Sequence, residues 1–458
     1  MLDLIISGGH IVNADGSVDA DIGIKDGKIA CIGRKSDFGQ AVKTIDASGK
    51  LVMPGLIDSH VHIDDAQGEF FTKDQVETGT IAAAYGGTTT MVQFAIPVGD
   101  ERPIQALEKR MHAAKDVSVI DYSFHGAITH LNDQSLADVR DILTGGFPSI
   151  KMFTVYRGEV MLEQLGIYKV LQLIGKHCGV AKIHAENADM IEANVAEYVR
   201  RGLTTPYYHP LTRPPVTEVT AVANLLPMIE ETDAATVFVH MTTSQVCDYI
   251  RWAKKRMPVF TEFCPHYLTL TEQVYSRPDA QNYMCNPPMR AQADQDGLWK
   301  MVSEGLCDVI NSDHSCFDLA QKASHKDDFT KEPNGLPGIE TRAAIIFSEG
   351  VAKGRITEND FVRMLSTNDA KLMGMFPQKG ILAAGSDADI VLWDPNASYV
   401  LHAGDLHMGT DYTPFEDFHI TGKLTHTLIR GNIIVEDGKF VGDRFKGRMV
   451  RRGVPILG

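Results

Sequence analysis

Val52-Met53-Pro54-Gly55-Leu56-Ile57-Asp58-Ser59-His60-Val61-His62-Ile63 is a short apolar run, opened by Pro54 and Gly55, that ends in two imidazoles. As a strand it turns residues two apart to the same face, so His60 and His62 leave the backbone side by side. Two imidazoles at the end of a buried strand are placed to hold a divalent metal ion. The ordinary alternative is a pair of core histidines bonded to backbone, and a lone His-x-His does not separate the two.

Working outward, β-rich runs alternate with longer helical segments from Pro54 onward. The candidate strands are Ile57–His62, Thr88–Phe94, Val119–His125, Ser149–Phe153, Val180–His184, Thr236–His240, Val259–Phe263 and Asp308–Ser312. Between them, segments such as Ile104–Ala114, Leu162–Lys176, Val216–Glu230 and Ser244–Lys255 carry the spacing of amphipathic helices. Eight strands separated by helical crossovers predict an α/β fold, a (β/α)8 TIM-like barrel over residues 54–374. No G-x-G-x-x-G follows these strands, which speaks against a dinucleotide fold. Flanking the barrel, residues 1–53 and 375–458 read as short strands with turn punctuation, Asp26-Gly27 being a hairpin signal. The two pieces are expected to combine into one small β-sandwich domain. The basic C-terminal tail, Arg444–Arg452, reads as a surface or subunit-contact segment.

Composition sets outer bounds. The 458 residues suffice for a large core and more than one domain, with 44% hydrophobic and 22% charged residues, ordinary values for a globular protein. A formal net charge of −15 gives no support to a nucleic-acid or anionic-membrane partner. Seven cysteines, an odd and scattered set without C-x-x-C spacing, argue for reduced thiols and a cytoplasmic location. The N-terminus lacks the pattern of a signal peptide, and no run of apolar residues is long enough for a membrane span.

Polar residues finish five of the eight expected strands: His60 and His62 the first, His184 the fifth and His240 the sixth, with Lys151 inside the fourth and Asp313 just after the eighth. Barrel active sites sit at the C-terminal ends of strands, so these side chains are expected to converge on one mouth as a shared metal site. Singly, each has a plainer reading: His184 and His240 as satisfied core histidines, Asp313 as a helix cap. Lys151 is the odd member. A lysine in an apolar strand costs several kcal/mol unless paired or neutralised, and as an ammonium it repels a metal. It fits the site if its amine has become a carbamate, an anion able to bridge two cations. The alternative is pairing with a neighbouring acid or Tyr156.

The chain resembles the cyclic amidohydrolase superfamily, in particular the hydantoinase/dihydropyrimidinase group. The resemblance runs nearly end to end. It is carried by Pro54-Gly55-Leu56-Ile57-Asp58 through His62, Gly79–Ala84, Gly86–Thr90, Lys151-Met152-Phe153 with Tyr156, and His184-Ala185-Glu186-Asn187. It continues through His209–Pro215, Ser312-Asp313-His314, Asp328–Lys331, Pro333-Asn334-Gly335 and Gly385–Asp389. The resemblance implies a zinc pair, one ion held by His60, His62, Lys151 and Asp313, the other by Lys151, His184 and His240. Carboxylated Lys151 and a hydroxide would bridge the two. It implies hydrolysis of a small cyclic amide, opening a hydantoin or 5,6-dihydropyrimidine ring to an N-carbamoyl amino acid. Asp313 would be the proton carrier and Tyr156 the donor to the developing oxyanion, the plainer reading of Tyr156 being a packed aromatic at the mouth. Asn286 and Asn334 would bind the ring's imide edge, largely through main-chain groups, and the assembly would be a homotetramer.

Three features depart from the group's pattern. Asn286 stands where serine is usual. His266 is associated more with allantoinases, which makes allantoinase the nearest enzymatic alternative. The loop Ile63–Phe71, with Asp64, Asp65 and Glu69, is unusually acidic and suggests a polar or cationic ring substituent. A non-catalytic scaffold related to dihydropyrimidinases is the alternative from another class, though such relatives tend to lose metal ligands and every ligand position is occupied here.

Overall fold

The computed structural model describes residues 1–442 and 445–457. Eight parallel strands follow one another in chain order around a single sheet: β1 (Leu56–Val61), β2 (Thr88–Ala95), β3 (Asp121–Ala127), β4 (Ser149–Phe153), β5 (Val180–His184), β6 (Ala235–Phe238), β7 (Val259–Phe263) and β8 (Val309–Ile310). Nearly every strand residue is buried, as expected where helices cover the outer face and side chains fill the interior. The ring closes through one parallel bridge, Val61 to His314, with the His62 N–H donating to the His314 carbonyl at 2.7 Å. This is the barrel expected from the alternating pattern.

Two strands are shorter than their apolar runs suggest. β8 keeps only Val309 and Ile310, because the Asn311 side chain takes the Ser59 N–H (3.1 Å) and the chain turns left-handed at Asp313, φ 51°. β6 stops at Phe238, and His240 also lies in the left-handed region, φ 40°.

The two ends of the chain build the second domain together. Leu51–Pro54 pairs antiparallel with Ile390–Leu401, Ile390 opposite Pro54 and Trp393 opposite Leu51, within a seven-stranded sheet. A four-stranded sheet of Leu2–Ser7, Asp21–Lys25, Lys28–Gly33 and Ala41–Asp46 packs beside it. Leu4, Ile6, Ile22, Ile24, Val52, Ile390, Leu392 and Leu428 form their shared core. Asp26 and Gly27 both adopt positive φ, as the hairpin signal required.

Lys379 joins this domain to the barrel. Its buried ammonium lies 2.7 Å from Asp121 at the start of β3, and 3.2 and 2.6 Å from Asp387 and Asp389. The basic tail keeps Lys446, Arg448 and Arg451 exposed, as expected of a surface segment, while its backbone and Arg452 are built into the barrel. Arg444 lies outside the described residues. Beyond it, Tyr122 N–H donates to the Arg448 carbonyl and Val450 N–H to the Tyr122 carbonyl, which ties the tail to the start of β3. Arg452 is buried, and its guanidinium donates to the Phe124 carbonyl (2.6 Å) and Ser149 Oγ (2.7 Å). The tail therefore closes the amino-terminal end of the barrel.

Candidate metal centre

At the opposite end, the carboxyl termini of the strands bring the expected ligands together. His60 Nε2 lies 3.0 Å and His62 Nε2 3.6 Å from Asp313 Oδ1. The His240 ring sits 5.5 Å from that of His60 and 4.4 Å from that of His184. One ligand atom each from His60, His240 and Asp313 falls within 4.8 Å of the others. The Phe94 ring packs on both His60 and His62, and Lys151 Nζ stands over it at 4.7 Å. All six side chains share one mouth.

Lys151 and Lys182 are opposite each other in the register of β4 and β5, and both are buried. Their surroundings differ. Lys182 Nζ donates to Glu262 Oε2 (2.8 Å), Ser59 O and Ser59 Oγ. Among the described residues, neither a carboxylate nor Tyr156 pairs with Lys151, and its Nζ faces the rings of Phe94 and Phe153. Burial pushes its ammonium down to about 7, against the pull of Asp313 and Glu262. An amine with much of its population neutral near pH 7 is a nucleophile able to take up carbon dioxide.

Each of three imidazoles has one nitrogen held by a carboxylate. His60 Nδ1 contacts Glu262. His62 Nδ1 lies 3.1 Å from Asp65, and His184 Nε2 lies 2.7 Å from Glu186. Such partners fix the tautomer and leave the other nitrogen to face a cation. Among the described residues His240 Nδ1 is buried without a hydrogen-bond partner, a condition that a bound ion or a ring rotation relieves. Burial, reinforced at His240 by His184 and Lys151, lowers the pKa of His184 and His240, which favours the neutral imidazoles that a metal ion requires. For Asp313, burial is overridden by His60 and His62, which bring its carboxyl down to about 2. Neutral imidazoles with an ionised carboxylate are the donor set of a hard or borderline divalent cation, and they fit one here.

Around this group stand Tyr156, Asn286 and Asn334. Tyr156 has φ 69°, its ring is 5.4 Å from that of His184, and Arg213 lies over its face. Burial pushes its hydroxyl up, against Arg213, so it remains a proton donor. Tyr156, His240 and Asp313 all hold left-handed backbone, strain of a kind that gathers at working sites. The segments carrying Asn286 and Asn334 are bound to each other: Gly335 N–H donates to the Met284 carbonyl, and buried Lys322 donates to the carbonyls of Met284 (2.9 Å) and Pro333 (2.8 Å). Among the described residues, the side-chain oxygens of both asparagines are buried without partners.

Glu262 and Lys182 were not singled out from the sequence, Glu186 entered only as part of a motif, and Asp65 was read only as a loop acid. Glu262 and Lys182 carried a signal, a charge inside an apolar strand, whose partner only the fold reveals. The acidic loop reads differently in three dimensions. Asp65 is buried against His62 and Arg110, Asp64 lies 3.5 Å from Arg110, and Glu69 lies 3.1 Å from His325. Asp65 is thus committed to the site, whereas the Asp64 and Glu69 carboxylates stay exposed beside Arg110 and His325. His266, the residue that kept allantoinase in view, is buried beside Cys264 and Asp313 with Nε2 unpartnered.

Residues 51–434 match the model of the amidohydrolase family, and the chain belongs to that family. It is 40% identical over 453 residues to the D-hydantoinase of Geobacillus stearothermophilus, covering 98% of this chain and 96% of that protein. Against the D-hydantoinase of Ralstonia pickettii the identity is 38% over 455 residues, 98% and 99% of the two chains. The crystal structure of dihydropyrimidinase from Brevibacillus agri NCHU1002 superposes with a TM-score of 0.96 at 37% identity, covering 99% of both chains. Within the family the chain falls in the hydantoinase/dihydropyrimidinase group and is a cyclic amidohydrolase.

Proposed function

We propose that this enzyme opens the ring of a hydantoin or a 5,6-dihydropyrimidine to give an N-carbamoyl amino acid. In this reading His60, His62, Lys151, His184, His240 and Asp313 hold two divalent cations, zinc in both places, and Lys151 is carboxylated on Nζ. The observation that carries it is a buried lysine without a counter-charge, set among four imidazoles and a carboxylate at one barrel mouth.

When bound, such cations acidify water and polarise the scissile carbonyl. Asp313, ionised at neutral pH, accepts the proton as water adds to the carbonyl carbon and passes it to the ring nitrogen as the C–N bond breaks. Tyr156, kept protonated, donates to the oxygen that gains charge. Main-chain groups at Asn286 and Asn334 orient the ring's imide edge. Glu262, Asp65 and Glu186 orient three imidazoles.

Assays of purified protein on hydantoin, dihydrouracil and allantoin test this, with turnover of the first two expected. Turnover of allantoin alone replaces the reading with allantoinase. Gently purified protein nearly free of metal and inactive on all three points to a scaffold. We further propose a homotetramer in the cytoplasm. The first is supported by resemblance; the second fits seven cysteines that are all unpaired. No helix among the described residues is long and apolar enough to cross a membrane.

A further inference from the structure

Directly after β1 the chain folds into a small hairpin, Ala66–Gln67 pairing antiparallel with Phe70–Phe71. Its root is anchored at the candidate metal centre through Asp65, which contacts His62 and Arg110. Beside the Glu69–His325 contact and the Gln321 Nε2 donation to the Phe71 carbonyl, a further anchor is Gln67. The Gln67 Nε2 donates to the Asn334 carbonyl at 2.8 Å, and the Asn334 N–H donates to Gln67 Oε1 at 2.7 Å. One carboxamide thus clasps both polar groups of Asn334's main chain, and the amide's orientation is fixed because a backbone N–H can only donate.

Counting valences shows what this clasp leaves over. The single hydrogen on Asn334 N is used. The carbonyl oxygen has two lone pairs and keeps one. Asn334 can therefore offer a ligand a main-chain acceptor and no main-chain donor. The segment does not depend on Gln67 to hold its place, because Lys322 grips the Pro333 carbonyl from behind and Asn334 Nδ2 donates to the Glu332 carbonyl at 3.1 Å.

We propose that Gln67 is a specificity-determining positioning residue. By clasping Asn334 it makes that main chain acceptor-only, so the site selects rings presenting an N–H at that edge, and it couples the hairpin to the ring-binding segment. This rests on the proposed contact between Asn334 and substrate. Gln67 itself acts through Asn334 and through the hairpin.

The test compares metal-loaded wild type with Gln67→Glu and Gln67→Ala, by steady-state kinetics on hydantoin and its imide N-methyl derivative and by hydrogen exchange of residues 64–72. Glutamate has glutamine's shape and still accepts the Asn334 N–H, but sets a second oxygen against the Asn334 carbonyl. The expected result is a KM for hydantoin raised roughly tenfold in Gln67→Glu, where one hydrogen bond is lost and two oxygens are set against each other, and less in Gln67→Ala, where both hydrogen bonds are lost without a repulsive contact. Turnover number stays within about twofold and metal content is unchanged, because the clasp touches no ligand. Hairpin exchange quickens in both variants, and the preference for hydantoin over its N-methyl derivative narrows. A merely space-filling side chain gives a Gln67→Glu enzyme matching wild type in KM and exchange, which overturns the proposal. If wild type opens no ring at all, the functional reading fails; unchanged exchange in both variants then still overturns the clasp.

Discussion

Replacing Glu262 with glutamine keeps the side chain's shape and removes its charge. Four groups contact that carboxylate: Lys182 Nζ at 2.8 Å, Asn311 Nδ2 at 2.9 Å, the His240 N–H at 3.2 Å and His60 Nδ1. All are buried, so water cannot compensate. Leaving the Lys182 ammonium without its partner is expected to cost about 3–5 kcal/mol of stability. Loosening His60 is expected to weaken metal affinity about 10–100-fold. Urea unfolding of the metal-free protein reads the first effect, and titration with a competing chelator the second. Burial raises the Glu262 pKa, but His60 and Lys182 outweigh it and hold the carboxyl well below its usual 4.5. Its stabilisation is therefore complete above that value and lost only as pH falls through the depressed one. The gap between wild type and Glu262→Gln should stay flat from about pH 5 to 8 and close in acid. Adding Lys182→Met should recover much of the stability, since a buried pair removed whole is tolerated better than one broken. A Glu262→Gln protein within about 1 kcal/mol of wild type, with unaltered metal affinity, refutes the reasoning.

Further outcomes follow from the same geometry. Lys151→Ala is expected to lose both metal and activity, with activity partly restored by short carboxylic acids; an active, metal-replete variant rules out a bridging carbamate. Tyr156→Phe should lower turnover by about 10²–10³-fold with metal content intact, the usual effect of losing one oxyanion donor, and steady-state kinetics with elemental analysis checks it. Lys379→Met leaves Asp121, Asp387 and Asp389 without their shared cation, so denaturant unfolding should show a loss of about 3–5 kcal/mol while activity per folded molecule is unchanged.

Much of the fold could be read directly. Ser149–Phe153, Val180–His184 and Val259–Phe263 are strands with the expected bounds, because an apolar run buried on both faces is a strong local signal. β8 was misjudged because Asn311 and Asp313 take conformations set by Ser59 and the barrel's closure, which are far away in sequence. Of the six candidate ligands, five could be picked out at or just past strand ends and Lys151 as a charge inside a strand. Glu262 was not, because a carboxylate in a strand shows its purpose only beside His60 and Lys182. Asp65 shows the same limit: sequence displays the acid but not Arg110 lying against it. Arg452 reads as a surface cation until the Phe124 carbonyl and Ser149 hydroxyl that accept from it in the barrel floor are seen.

The sheet that joins the two chain ends has a consequence during synthesis. Leu51–Pro54 is made early and finds His10–Asn13 at once, but its other neighbour, Ile390–Leu401, is translated roughly 300 residues later. At roughly 5–20 residues per second, the nascent protein spends tens of seconds with that edge unpaired on the ribosome. An open apolar edge is a template for another chain's strand. Slower initiation, which spaces ribosomes along the message, should therefore raise the yield of native enzyme more than slower elongation does.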